Sequence, residues 1–143
     1  MKSDEAERRA APVDGHVPGC VALERHAPGV AIVKLCGEHD LSTKAEINAK
    51  LARVAGEADV LVDLSECSFI DSSVIGALVA AFQTFAERGR RLELAIPSDA
   101  VTIQRVAKVA GLATFLAIHE TREAGLASVS ARLKARRRHR AAG

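Results

Sequence analysis

The stretch Leu61-Val62-Asp63-Leu64-Ser65-Glu66-Cys67-Ser68-Phe69-Ile70-Asp71-Ser72-Ser73 carries the chain from one periodicity into another. Val60 to Leu64 (VLVDL) is short, mostly apolar and β-branched, as a central strand requires. From Ser72 to Arg88, Ile75, Leu78, Val79, Phe82 and Phe85 recur along one helical face, and Gly89 closes the segment. Asp71 falls at the N-cap position, where a carboxylate satisfies backbone N–H groups of the first turn. Ser72 and Ser73 are then the first helical residues. A buried strand feeding a long amphipathic helix is a building unit of α/β folds.

Outward from this junction the same alternation continues. On the N-terminal side, Thr43 and Glu46 have capping-box spacing ahead of a helix bearing Ile47, Leu51 and Val54, which Gly56 stops. Before it, Cys20 to Arg25 (CVALER) reads as an edge strand and Val30 to Leu35 (VAIVKL) as a second strand, ended by Gly37. The connection His26-Ala27-Pro28-Gly29 is so short that the two must form an antiparallel hairpin. On the C-terminal side, Leu92 to Ile96 (LELAI) is a strand stopped by Pro97, and Ser98 is placed to cap a helix bearing Ile103, Val106 and Ala110. Gly111 ends that helix, Phe115 to Ile118 makes a last short strand, and Thr121 caps a final helix through Leu126, Val129 and Leu133. The fold class is α/β: a single domain with a mixed β-sheet that begins with an antiparallel hairpin and is covered by about four helices.

A chain of 143 residues holds one domain with tails. Residues 1–16 are polar and aperiodic and read as disordered, 17–131 as the folded domain, and 132–143 as a basic tail outside it. The formal charge of +2 hides an asymmetry. Six of the twenty Lys and Arg lie between Arg132 and Arg140, and the remaining chain carries fourteen basic against eighteen acidic residues. Such a terminus reads first as a frayed, solvated helix end, so deletion after Ala131 should leave folding intact. Attraction to nucleic acid or anionic membrane is its other reading, though no direct nucleic-acid contact is expected. Aromatic residues are only 3% of the chain, too few for a base-stacking platform. The longest uncharged stretch, Ser72 to Ala86, falls short of the roughly 20 apolar residues of a bilayer span. Nor does the N-terminus hold the apolar core of a signal peptide, and a cytoplasmic protein is expected.

The three cysteines, Cys20, Cys36 and Cys67, are odd in number and lack Cys-x-x-Cys spacing. They predict neither a disulfide framework nor a zinc site, and Cys36 and Cys67 read as inert core thiols. The five histidines show no metal spacing, and no phosphate-binding loop, dinucleotide fingerprint or nucleophile elbow occurs. Cys36 with His39 is a weak nucleophile pair. Asp59, Asp63 and Asp71 flank one strand but alternate in facing, which argues against a shared Mg²⁺ site. No catalytic residue, metal or cofactor is expected.

The helix start at Asp71 offers a different chemistry. A hydroxyl at the N-terminus of a helix suits phosphorylation, because free N–H groups and the macrodipole accommodate an anion there. A phosphoserine brings about −1.5 to −2 charges, enough to change a surface without melting the domain. Capping alone also explains Asp-Ser-Ser at such a position.

The segment Gly37-Glu38-His39-Asp40-Leu41-Ser42-Thr43, the strand Val60 to Leu64 and the turn Phe69-Ile70-Asp71-Ser72-Ser73 resemble the anti-sigma factor antagonist family, the STAS domain. Element order is similar from Cys20 to about Val129, and so is Gly111-Leu112 followed by Phe115. Two residues depart from the family pattern: Val74 stands where it has Gly, and His39 where it has an apolar residue. The resemblance implies a non-enzymatic regulator. Its unphosphorylated form would bind an anti-sigma factor that is also a serine kinase, freeing a sigma factor for transcription. Phosphorylation at Ser72 would release it, and a serine phosphatase would reset the cycle. The implied partner-binding residues are Asp40, Leu41, Ser42, Asp71, Ser72, Ser73 and Val74, with Asp71 positioning the Ser72 hydroxyl. The alternatives are a constitutive STAS interaction module in a signalling or lipid-transport assembly, and a small-ligand or nucleotide-binding domain that uses the helix start as an anion cradle. The sequence leaves the oligomeric state open.

Overall fold

Each of the parallel strands is followed by a helix that returns the chain to the same end of the sheet. The computed structural model describes residues 17–142; the expected disorder of residues 1–16 lies outside them. In chain order the elements are β1 (Cys20–Ala27), β2 (Val30–His39), α1 (Leu41–Val54), β3 (Asp59–Ile70), α2 (Ser72–Glu87), β4 (Leu92–Ala95), α3 (Val101–Val109), a 3₁₀ turn at Leu112–Thr114, β5 (Ile118–His119) and α4 (Arg122–Ala142). The five strands lie in sequence order, β1 antiparallel to β2 and the other pairs parallel. Right-handed crossovers stepping in one direction put α1, α2 and α3 on one face of the sheet, and α4 covers the other.

The faces differ in chemistry. Strand residues Ala31, Val33, Leu35, Val60, Val62, Leu64, Leu92 and Leu94 join Ile47, Leu51, Leu78, Phe85 and Ile103 in the main core. Under α4 the alternate positions include the buried carboxylates Asp59, Asp63 and Glu93. They are met from α4 and its approach: Arg136 Nη2 reaches Asp59 Oδ2 at 3.3 Å, Arg122 Nη1 reaches Asp63 Oδ2 at 3.4 Å, and His119 and Ser128 meet Glu93 Oε1 at 2.8 and 2.7 Å. Val30, Leu126, Val129 and Leu133 form an apolar seam on this side. Gly125 lets the helix sit down, since a Cβ there would lie 2.5 Å from Leu61 Cδ1.

Several local expectations are corrected. The helix expected to start at Thr43 begins earlier: Asp40, not Thr43, is the N-cap of α1, and it accepts from the Ser42 amide. Ser98 does not cap α3, whose N-cap Ala100 makes no side-chain bond. The strand expected at Phe115 to Ile118 is displaced to Ile118–His119, because Leu112–Thr114 coils into the 3₁₀ turn and buries Leu112. Strands β2 and β3 outrun their apolar cores, reaching His39 and Ile70. Helix α4 continues past Ala131 with Leu133 buried and Arg136 paired to Asp59, so the first turns of the basic segment pack on the sheet.

Cysteine chemistry differs from the expectation too. Cys20 and Cys36 sit directly opposite in the β1–β2 ladder, with Cα atoms 5.1 Å apart, and their sulfurs are joined as a disulfide. Neither is a core thiol: Cys20 is exposed and Cys36 half-buried. The edge position of β1 brings an exposed residue opposite a position that reads as apolar from the chain alone. Cys67 is the buried free thiol, and burial pushes its pKa up to about 11.

Candidate partner-binding site

Strands β2 and β3 run parallel as neighbours, and their last residues, His39 and Ile70, pair in register. The next residues, Asp40 and Asp71, therefore leave the sheet side by side and cap two adjacent helices. Both use the same local device. Asp40 Oδ1 accepts from Ser42 N at 2.9 Å and from Ser42 Oγ at 2.5 Å. Asp71 Oδ1 accepts from Ser73 N at 3.0 Å, Ser73 Oγ at 2.6 Å and Val74 N at 3.1 Å. The Ser73 hydroxyl, helped by the Val74 and Ser73 amides, holds the Asp71 carboxyl below the usual carboxylate range, while partial burial and the negative charge of Asp40 oppose this.

Asp71 is thus committed to Ser73. Among the described residues it makes no hydrogen bond to the Ser72 hydroxyl, which the resemblance has it position. Ser72 is exposed, and its side chain makes no hydrogen bond among the described residues. Ser73 is half-buried with its hydroxyl engaged. Leu41 occupies the corresponding first position of α1 and is 70% exposed. Asp40, Leu41, Ser42, Asp71, Ser72 and Ser73 are brought together at one end of the sheet. Val74 is not at that surface: it is fully buried in the core, so its branched side chain points away from any partner.

Beside Ser72 lies a feature that the motifs do not announce. A cleft of about 450 Å³ between α2 and α3 is lined by Ser72, Ile75, Arg105, Val106, Val109 and Ala110. Val109 is 85% exposed on its rim. The available sequence signal was the surplus of apolar residues on α3, where Val101 and Val109 fall outside the buried stripe of Ile103 and Ala107.

The other chemical candidates separate. His39 is fully buried, and its Nε2 meets the Cys36 carbonyl oxygen, not the sulfur, at 2.8 Å. Its Nδ1 meets Thr43 Oγ1 at 3.0 Å, so the departure from an apolar residue is met by a polar link between β2 and α1. Asp59 binds the Arg91 amide and Arg136, Asp63 binds Ser65 and Arg122, and Asp71 is a cap. Among the described residues no cluster of His, Cys, Asp and Glu could hold a metal ion, and no helix is long and apolar enough to cross a membrane.

The model of the STAS domain family matches residues 23–125, a span that includes both caps and the cleft. The chain belongs to the STAS domain family. Solved structures with the same architecture include an anti-sigma factor antagonist from Mycobacterium paratuberculosis, 20% identical, with a TM-score of 0.71 over 79% of this chain and 95% of that one. The anti-sigma factor antagonist SpoIIAA in its unphosphorylated form is 23% identical, with a TM-score of 0.67 over 78% of this STAS domain chain and 97% of its own. The Bacillus cell fate determinant SpoIIAA in the phosphorylated form is 24% identical, with a TM-score of 0.61 over 77% and 99%. At these identities the likeness establishes the STAS fold. No curated protein sequence matches the chain.

Proposed function

We propose that this STAS domain is a cytoplasmic anti-sigma factor antagonist whose binding surface is switched by phosphorylation of Ser72. The observation that carries the reading is the contrast between neighbouring hydroxyls: Ser72 is exposed and unbonded among the described residues, whereas Ser73 donates to Asp71 at 2.6 Å. Its likeness to SpoIIAA, solved in unphosphorylated and phosphorylated forms, supports the same reading.

The unmodified surface combines Leu41, the apolar cleft and a neutral hydroxyl, with Arg105 and the two cap carboxylates at its margins. A partner with an apolar ridge docks there, and the anti-sigma factor serine kinase is that partner. In the transfer, Ser72 Oγ forms a bond to the γ-phosphorus of the kinase's ATP, the bond to the β-phosphate oxygen breaks, ADP leaves and the hydroxyl proton is released. The new phosphate places about −1.5 to −2 charges beside an apolar contact, and desolvating that charge opposes docking. The first turn of α2 tolerates it through its dipole, so the fold stays the same. Hydrolysis by a phosphatase returns the hydroxyl. In this cycle the domain is substrate and ligand, and the kinase brings the catalysis.

Incubation with ATP, Mg²⁺ and the cognate kinase, followed by intact-mass measurement, tests the proposal. One added phosphoryl group is expected on the wild type and on Ser73→Ala, and none on Ser72→Ala. Undiminished labelling of Ser72→Ala overturns it. Binding of the kinase unchanged by Ser72→Glu would instead make the domain a constitutive interaction module.

A further inference from the structure

The residues just before β1 are pinned onto the last residues of β2, which lead into α1. Val17 O accepts from Glu38 N at 3.0 Å, and Val17 N reaches Glu38 Oε2 at 3.3 Å. The contact is closer than side chains permit. A Cβ on Gly19 would lie 2.3 Å from Glu38 O and 2.9 Å from the His39 ring, and one on Gly37 would lie 2.3 Å from Pro18 O. Gly37 also takes a φ of +76°, which L side chains rarely adopt. Two glycines thus let the Val17–Gly19 segment lie flat on Gly37–His39. At the base of this contact, Cys20 and Cys36 face each other.

We propose that Cys20 and Cys36 are a reversible redox clip that holds this segment over the end of β2 and thereby stiffens the cap of α1. The Cα separation of 5.1 Å is within the range that a disulfide spans, so closing the bond asks for no backbone movement. Cys20 is exposed, so it meets an oxidant first, and half-buried Cys36 is the resolving thiol. With hydrogen peroxide as oxidant, the Cys20 thiolate takes one peroxide oxygen to become a sulfenic acid, and the other oxygen leaves as water. The Cys36 sulfur then attacks the Cys20 sulfur and expels the second water. Each sulfur loses one electron overall, and the peroxide takes up both. A dithiol reverses the step by exchange, becoming the disulfide itself.

The clip reaches the partner-binding end through His39. Its Nε2 donates to the Cys36 carbonyl, its Nδ1 meets the Thr43 hydroxyl in the first turn of α1, and Gly19 covers its ring. Thr43 N in turn donates to the carbonyl of Asp40. Opening the disulfide frees the start of β1 and uncovers His39, while the ladder from Val21 to Ala27 retains the hairpin. The redox state therefore sets the rigidity of the Asp40–Leu41 turn and leaves the core alone. Cys67, buried and hydrogen-bonded to Phe69 O at 3.4 Å, is a built-in unreactive control.

The full chain, treated with hydrogen peroxide or dithiothreitol and then with a maleimide, reads the clip by intact mass. No kinase or phosphate is involved, so failure of the clip and failure of Ser72 phosphorylation are distinguishable. The reduced native protein should take two adducts and the oxidised protein none, with one more in each on denaturation, from Cys67. Hydrogen exchange at Glu38 to Thr43 should be about tenfold slower in the oxidised protein, as a locally tightened unit requires. Cys20→Ser and Cys36→Ser should exchange like the reduced protein under either treatment. Identical exchange in the two redox states of the wild type overturns the proposal, as does a disulfide that dithiothreitol opens only on global unfolding.

Discussion

Ser73 gives its hydroxyl to Asp71 at 2.6 Å, and in doing so fixes the first turn of α2 with Ser72 facing outward. The two serines are adjacent in sequence yet have different tasks, one holding the helix start and one presenting it. Ser73→Ala should cost about 1 kcal/mol in urea unfolding, the usual loss for one hydrogen bond. Ser72→Ala should stay within about 0.5 kcal/mol of the wild type, as surface changes do.

The same carboxylate gives the domain an acid-sensitive component. The folded-state pKa of Asp71 is depressed, mainly by the Ser73 hydroxyl. Its contribution is therefore present above the unfolded carboxylate pKa of about 3.9 and lost as pH falls through the lower folded value. Asp71→Asn retains a capping side chain but removes the charge. Urea midpoints measured from pH 7 to pH 2.5 should fall less steeply for Asp71→Asn than for the wild type.

Helix α4 rests on Leu61 at Gly125, where a single added carbon would lie 2.5 Å from Leu61 Cδ1. Alanine is the better helix former by about 1 kcal/mol, yet overpacking costs about 1–3 kcal/mol. Gly125→Ala should therefore lower the thermal midpoint despite its gain in propensity. Leu61→Ala in the same chain should relieve part of that loss, and thermal unfolding of the four proteins checks the pair.

Arg136 and the fully buried Asp59 tie the far half of α4 to the base of β3. Arg136→Ala should destabilise the domain by about 1–3 kcal/mol, the cost of leaving a buried charged group short of a partner. The loss should shrink in an Asp59→Asn background, which a double-mutant cycle in urea measures. Truncation after Ala131 also removes buried Leu133, so it should lower the unfolding midpoint more than Arg136→Ala alone. That reverses the expectation drawn from composition, which saw only the charges of this segment.

Most of the architecture was legible because periodicity and apolar runs report burial directly. Ile47, Leu51 and Val54 line the buried face of α1 as their spacing requires, and the hairpin follows from the short connection, which the structure tightens from the expected His26–Gly29 to Pro28-Gly29. What escaped has a physical cause in each case. Asp40 and Thr43 are both acceptable caps in local terms, and only the reach of β2 to His39 decides between them. Asp59, Asp63 and Glu93 resemble surface residues until α4 supplies their partners from distant sequence. Leu41 and Ser72 were found through motifs, whereas the cleft at Val106 and Val109 depends on how α2 and α3 cross. The Cys20–Cys36 pair depends on cross-strand register, which three cysteines without regular spacing do not disclose.

Arg136 follows Asp59 by 77 positions, so a ribosome delivers the carboxylate long before its counterion. As synthesis proceeds, the apolar face beneath α1 to α3 has its components early, and the opposite face lacks its cover until α4 is made. Along the chain, then, the components of the hydrocarbon side are complete before those of the ionic side.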